Sequence, residues 1–94
     1  MKRRKKIKHK QIFDNDGLTA FGAQLKKMRR EIGISQTQLA FEAGISLSQI
    51  ARIETARTNP TLSTVFAITK ALDISLVRMF DFSLSTHKEI EKNF

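Results

Sequence analysis

The side chains best suited to recognition chemistry gather between Ser35 and Asn59: Ser35, Gln36, Thr37, Gln38, Ser46, Ser48, Gln49, Arg52, then Arg57, Thr58 and Asn59. Hydroxyls and amides both donate and accept hydrogen bonds, and the guanidinium of Arg52 is a fork that serves two acceptors at once. This is chemistry for holding a polar partner, not for making or breaking bonds. There is no cysteine, and His9 and His87 sit at the ends of the chain. No pair of carboxylates shares a helix face with a base, and neither a Gly-rich phosphate loop nor metal-ligand spacing occurs. An enzyme is the least supported class, and no cofactor or metal is expected.

The elements that must carry these groups are two short helices of one design. Ser35 is a candidate N-cap, with Gln38 three residues on to close a capping box, and Ile34 and Leu39 placed for a hydrophobic staple. Ser46, Gln49, Ile45 and Ile50 repeat the arrangement. Gly44 falls between the helices, where a left-handed residue is wanted. Helices this short, joined by so tight a turn, must cross steeply, as in a helix-turn-helix. Small Ala40 suits the close crossing. Leu39, Ile50 and Ile53 fall inward at helical spacing, leaving Leu47, Ser48 and Arg52 outward.

With the Ser-Gln-x-x-Leu-Ala motif at Ser35–Ala40, then Gly44, Ile50 and Ile53-Glu54, the stretch resembles the lambda-repressor-like family of DNA-binding domains, the Cro and Xre type. The likeness spans about residues 21–80. It implies an all-α fold of five helices around a helix-turn-helix at 36–55, and a pairing of Arg29 with Glu54. The competing reading of Arg29 is a surface arginine contributing little. Family members often carry glycine where Ala56 stands; if that position needs a positive φ, alanine costs on the order of 1 kcal/mol there.

Composition sets where charge can act. The formal net charge is +8, yet residues 1–10 alone hold seven bases and no acid, while residues 11–94 hold ten bases and nine acids. The basic character belongs to an arm. Residues 1–16 are too charged and too poor in apolar groups to compact, and are expected to be disordered. Such an arm can be a solvated tail, a nucleic-acid contact or, with no apolar face to support it, a weak membrane attraction. No run approaches the roughly 20 apolar residues of a membrane span, and no secretory signal follows the basic start. The lack of cysteine suits a reducing cytosol.

The folded unit is expected over 17–82, with a tail at 83–94. Asp16 or Thr19 can cap a first helix at about 18–32, with Phe21, Leu25, Met28 and Ile32 inward, Gln24, Lys26, Lys27, Arg30 and Glu31 exposed, and Gly33 at its end. Pro60 sets an extended loop before a helix at about 62–72, capped by Thr61, with Leu62, Val65, Ile68 and Leu72 on one face and Asp73 at its end. A third staple and cap, Ile74-Ser75 with Met79, starts a helix at about 76–81, where Leu76, Met79 and Phe80 should close the core. Phe82, Leu84, Ile90 and Phe94 give a weak amphipathic tail, with Thr86 and Glu89 a candidate capping box.

A helix-turn-helix lays its second helix in the major groove. Base readout then falls to Leu47 against a thymine methyl, Ser48, and Arg52 on guanine O6 and N7. The competing reading of Leu47 is an exposed apolar residue of no consequence. Gln36, Thr37, Ser46, Gln49, Arg57, Thr58 and Asn59 are the candidates for backbone phosphates, with Gln49 also able to reach a base edge. The expected partners are double-stranded DNA and a second copy of the chain, since one module reads too few base pairs. Phe80, Phe82 and Leu84 are the first candidates for that interface. The alternative from another class is an antitoxin-type module that binds a partner protein, with DNA binding secondary. RNA recognition by the arm is a third, weakened by the absence of Tyr and Trp.

Overall fold

Asp14 opens the first helix by accepting a hydrogen bond from the Gly17 amide at 3.0 Å through its side chain. Helix α1 (Asn15–Ile32) therefore starts before the expected residue 18, and Asn15 and Asp16, assigned above to the arm, are helical. Asp16 then falls in the first turn, where a negative charge favours the helix dipole. The computed structural model of the chain describes residues 12–84. The basic run at 2–10, both histidines and the Thr86–Glu89 box with Ile90 and Phe94 lie outside the described residues.

Four further helices follow: α2 (Gln36–Ala43), α3 (Leu47–Glu54), α4 (Leu62–Leu72) and the single turn α5 (Leu76–Met79). Every regular element among the described residues is helical, and no helix there is long and apolar enough to cross a membrane. Ser35, Ser46, Thr61 and Ser75 each cap the next helix by accepting from the amide three residues on. The residues before three of these caps, Ile34, Ile45 and Ile74, pack against the core as staples should.

The core takes Phe21, Leu25 and Met28 from α1, Leu39 and Ala40 from α2, Ile50 and Ile53 from α3, Val65, Ile68 and Leu72 from α4, and Met79 from α5. The expected stripes shorten at their ends. Ile32 and Leu62 are exposed because the terminal turns of α1 and α4 run past the packed layer, and α5 stops at Met79 with Leu76 and Phe80 half-exposed beside it. Phe80 lies against Phe21, with ring centroids 5.3 Å apart, and against Phe82 at 5.9 Å.

Two packing details were not legible beforehand. Gln24, expected to be exposed, is buried and donates through Nε2 to the Arg78 carbonyl at 2.7 Å, tying α1 to the last turn of the fold. Gly22 is where α1 and α3 come closest: a Cβ there would run into the carbonyl oxygens of Ile53 and Glu54.

Candidate nucleic-acid interface

α3 has two unlike sides. Ile50 and Ile53 are fully or nearly fully buried, while Leu47, Ser48, Gln49 and Arg52 are exposed. The start of the helix is closed by a complete capping box: the Gln49 amide donates to Ser46 Oγ at 3.1 Å, and the Ser46 amide donates to Gln49 Oε1 at 3.1 Å. Gln49 thus keeps its Nε2 group for a partner while its oxygen is engaged. One turn along, Arg52 donates from Nη2 to Ser48 Oγ at 3.0 Å, so the two central readout candidates form one unit.

The far end of α3 is fixed by charge. Arg29 reaches Glu54 through two parallel bonds, Nε to Oε2 at 2.7 Å and Nη2 to Oε1 at 3.0 Å, and donates from Nη1 to the Ile34 carbonyl at 3.0 Å. Gln36 adds a bond from Nε2 to Glu54 Oε1 at 3.0 Å. The Glu54 side chain is 2% exposed, and that of Arg29 10%. Burial alone would push the Glu54 carboxyl up; the hydrogen bonds from Arg29 and Gln36, with the Arg29 charge, prevail and hold it below the usual carboxylate value. The bond to Glu54 raises Arg29 against the cost of its own burial. The pair implied by the family likeness is therefore formed, and it joins α1, α2 and α3 at one carboxylate.

This network redirects one expectation. One N–H of the Gln36 amide, a candidate phosphate donor, points inward to Glu54; the other N–H and the free backbone amides of the α2 start remain. Thr37 is exposed beside it. Gln38 caps nothing: its Nε2 group donates to Glu42 Oε1 at 2.8 Å, so the expected first capping box is half made.

Past Glu54 the chain turns with the Arg57 amide on the Arg52 carbonyl at 2.8 Å and the Ala56 amide on the Ile53 carbonyl at 3.2 Å. This is a Schellman ending, and Ala56 takes its left-handed position at φ 58°. The turn has the glycine-type shape without the glycine. Arg57 and Asn59 are exposed and Thr58 partly so. Asn59 donates from Nδ2 to the Ile12 carbonyl at 2.8 Å, a contact no spacing rule could have pointed to. The structure thus gathers Gln36, Thr37, Ser46, Leu47, Ser48, Gln49, Arg52 and the 57–59 loop around α3. Gly22 is a packing position that the sequence analysis did not single out; a lone glycine inside a helical pattern is the available signal, since such glycines usually have a packing reason.

A family model described as helix-turn-helix matches residues 25–78, more than half of the chain. The chain belongs to this family, in its lambda-repressor-like form. The immunity repressor protein of Bacillus phage phi105 is 44% identical over 55 residues, which span 58% of this chain and 38% of that repressor. The HTH-type transcriptional regulator SinR of Bacillus subtilis is 33% identical over 64% of this chain and 55% of its own. The chain thus corresponds to well under two thirds of either regulator. Among solved structures, the restriction-modification controller protein C.AhdI of Aeromonas hydrophila superposes with a TM-score of 0.65 at 33% identity, covering 67% of this chain and 96% of that one. The controller C.Esp1396I, solved as a tetramer with its natural 35 base-pair operator, gives 0.65 at 31% identity over 68% of this chain and 84% of its own.

Proposed function

We propose that this member of the helix-turn-helix family is a small transcriptional regulator that binds double-stranded DNA sequence-specifically, with α3 as its reading helix. One observation carries the reading most directly: α3 is immobilised on its inner face and at its C-terminal end by Ile50, Ile53 and the Arg29–Glu54–Gln36 network, while Leu47, Ser48 and Arg52 stay free outward. A packed helix whose outer polar side chains are exposed and bonded only to one another is what groove readout needs. Arg52, pre-oriented by Ser48, takes guanine O6 and N7; Leu47 meets a thymine methyl. Thr37, Ser46, Gln49, Arg57, Thr58 and the start of α2 hold phosphates on either side. Catalysis has no part in this reading, and the relatives are regulators.

Selectivity requires two modules, so the chain acts as a homodimer on a palindromic operator. Of Phe80, Phe82 and Leu84, expected above at this surface, Phe80 lies on Phe21 and Phe82 lies on Phe80, which engages part of their apolar area within the fold. The α4–α5 face is the better candidate: Phe66, Ile74 and Leu76 line one shallow depression, and Val77 beside it is 83% exposed. Selection from random duplex DNA tests both statements. It should return inverted half-sites about one helical turn apart. Arg52→Ala should lose roughly 1–3 kcal/mol on the selected site and relax one base position. An unchanged preference in that variant, or sites with no symmetry, would overturn the assignment.

A further inference from the structure

After α5 the chain turns back on itself: the Phe82 amide donates to the Phe80 carbonyl at 2.9 Å, closing a three-residue turn. The residues that follow line an open groove of about 380 Å³ between the start of α1 and the start of α4. Phe21 and Val65, both nearly buried, form its floor, and Leu62, Phe80, Phe82 and Leu84 form its walls. Asp14 is the one charged residue in its lining. Leu62 is 69% exposed there, so the groove is a continuous apolar surface open to water, and surface of this kind marks a place that something covers.

Where the chain leaves this groove indicates what covers it. Leu84 lies in the wall, so the ten residues that follow it start at the rim. Within 85–94 only Ile90 and Phe94 are apolar, and at a spacing of four they share one face of a helix. Lys88 and Lys92 balance Glu89 and Glu91, so no net charge opposes burial of that face. Ile12 also borders the groove, but the ten residues at that end of the chain carry seven bases and no acid, with Met1 and Ile7 their only apolar side chains. Charges at that density are costly to take out of water. A segment tethered at the rim meets the groove at an effective concentration in the millimolar range, above what a separate chain ordinarily reaches.

We infer that the groove between α1 and α4 is the seat of residues 85–94 of the same chain, with Ile90 and Phe94 the side chains that enter it. Seated there, the segment packs the start of α1 against Pro60 and the end of the α3–α4 loop. It also covers apolar surface that would otherwise pair chains, which leaves the α4–α5 face for a second copy. The inference does not depend on the DNA-binding reading.

The chain has no tryptophan and no cysteine, so a single probe of either kind reports on this segment alone. In the full chain, Phe94→Trp should emit at shorter wavelength, and be better protected from acrylamide, than the free 85–94 peptide with the same tryptophan. Leu62 lies outside the core cluster, so Leu62→Asp should leave the fold intact, checked by circular dichroism, and return the emission to that of the peptide. A spin label on Lys92→Cys tests the same contact without altering Phe94. It should broaden the methyl signals of Leu62 and Val65 far more than those of Ile32, which is about 21 Å along α1 from Leu18. Signals of Leu62 and Val65 left sharp overturn the inference, whatever the emission shows. So does broadening that appears only when label and isotope are on different chains, which would make the occupant a second copy's segment. Release of the tryptophan by Ala23→Glu and not by Leu62→Asp also overturns it, by seating the segment on the adjoining face of α1 beside Ala20 and Ala23.

Discussion

The two halves of the helix-turn-helix begin with the same pattern, Ser-x-x-Gln, and end up held by different forces. In α3 the glutamine returns to its cap and the box closes; in α2 it turns forward to Glu42. The residue four positions on decides this. From Gln38 that residue is Glu42, an exposed carboxylate that competes as an acceptor, whereas from Gln49 it is Ile53, buried and without a polar atom. The far ends differ as well. α2 leaves through Gly44 at φ 71°, and α3 leaves through Ala56 at φ 58° with its last carboxylate clamped by Arg29. α2 has polar contacts at its start only, the Ser35 cap and the Gln36–Glu54 bond, and leaves through a relaxed turn. α3 is pinned at both ends by polar contacts, and at its C-terminal end against a strained turn.

The largest effect that would break this contrast lies at the clamp. Removing either Arg29 or Glu54 alone strands a buried charge and should cost about 3–5 kcal/mol, measured by urea unfolding, whereas replacing both with apolar residues should cost less than the worse single change. Additive effects below 1 kcal/mol would show that α3 is no more tightly pinned than α2. The clamp also predicts acid sensitivity. The Glu54 carboxyl sits below its unfolded value, so its stabilisation is complete above the unfolded carboxylate pKa, about 4.3, and fades as pH falls through the lower folded value. Glu54→Gln should flatten that acid limb of stability against pH; an unaltered limb would place the loss elsewhere.

Next in size is Gly22→Ala. Alanine favours helix by about 1 kcal/mol over glycine, yet the added methyl meets the backbone of Ile53 and Glu54, and overpacking against backbone should leave a net loss of roughly 2 kcal/mol. Because this contact serves α3 and not α2, the variant should weaken DNA binding as well as thermal stability. A stabilised variant would mean that α1 and α3 can separate freely.

The turn residues should give opposite signs. Gly44→Ala should destabilise by about 1 kcal/mol, and Ala56→Gly should stabilise by a similar amount, since both positions hold positive φ. Differential scanning calorimetry of the two variants settles it, and a loss with Ala56→Gly would show that the methyl is used in packing.

The smallest effects separate the caps. Ser46→Ala should cost more than Ser35→Ala, within a range of about 0.5–2 kcal/mol, because it opens a reciprocal box and not a single bond. Glu42→Ala should then allow Gln38 to close its own box and narrow the gap. Equal costs for the two serines, with or without Glu42, would make the difference between the boxes irrelevant to stability.

Much of this arrangement was legible beforehand because it is local. N-caps, staples and inward stripes are set by residues three or four apart, so α2, α3 and α4 fall where their patterns place them. Failures came where a distant group intervened. Gln24 reads as exposed from its helix alone, yet the Arg78 carbonyl comes to it from the end of α5. The Gln36 amide looks free at a helix start, yet Glu54 lies within reach once α3 is packed. The α1 start differs for a local reason: Asp16 and Thr19, the caps expected above, are competent by residue type, yet Asp14 takes the position.

By itself the sequence determined the helices, their polarity, the identity of the outward side chains on α3 and the confinement of excess charge to the first ten residues. Each of these follows from short-range periodicity or composition. The tertiary structure alone decided that α1 and α3 pack closely at Gly22, that one carboxylate ties three helices, and that Asn59 holds the Ile12 carbonyl ahead of α1. Those contacts join positions 18 to 47 residues apart, and at such separations the packing of whole helices, not the preference of any residue, sets which groups meet.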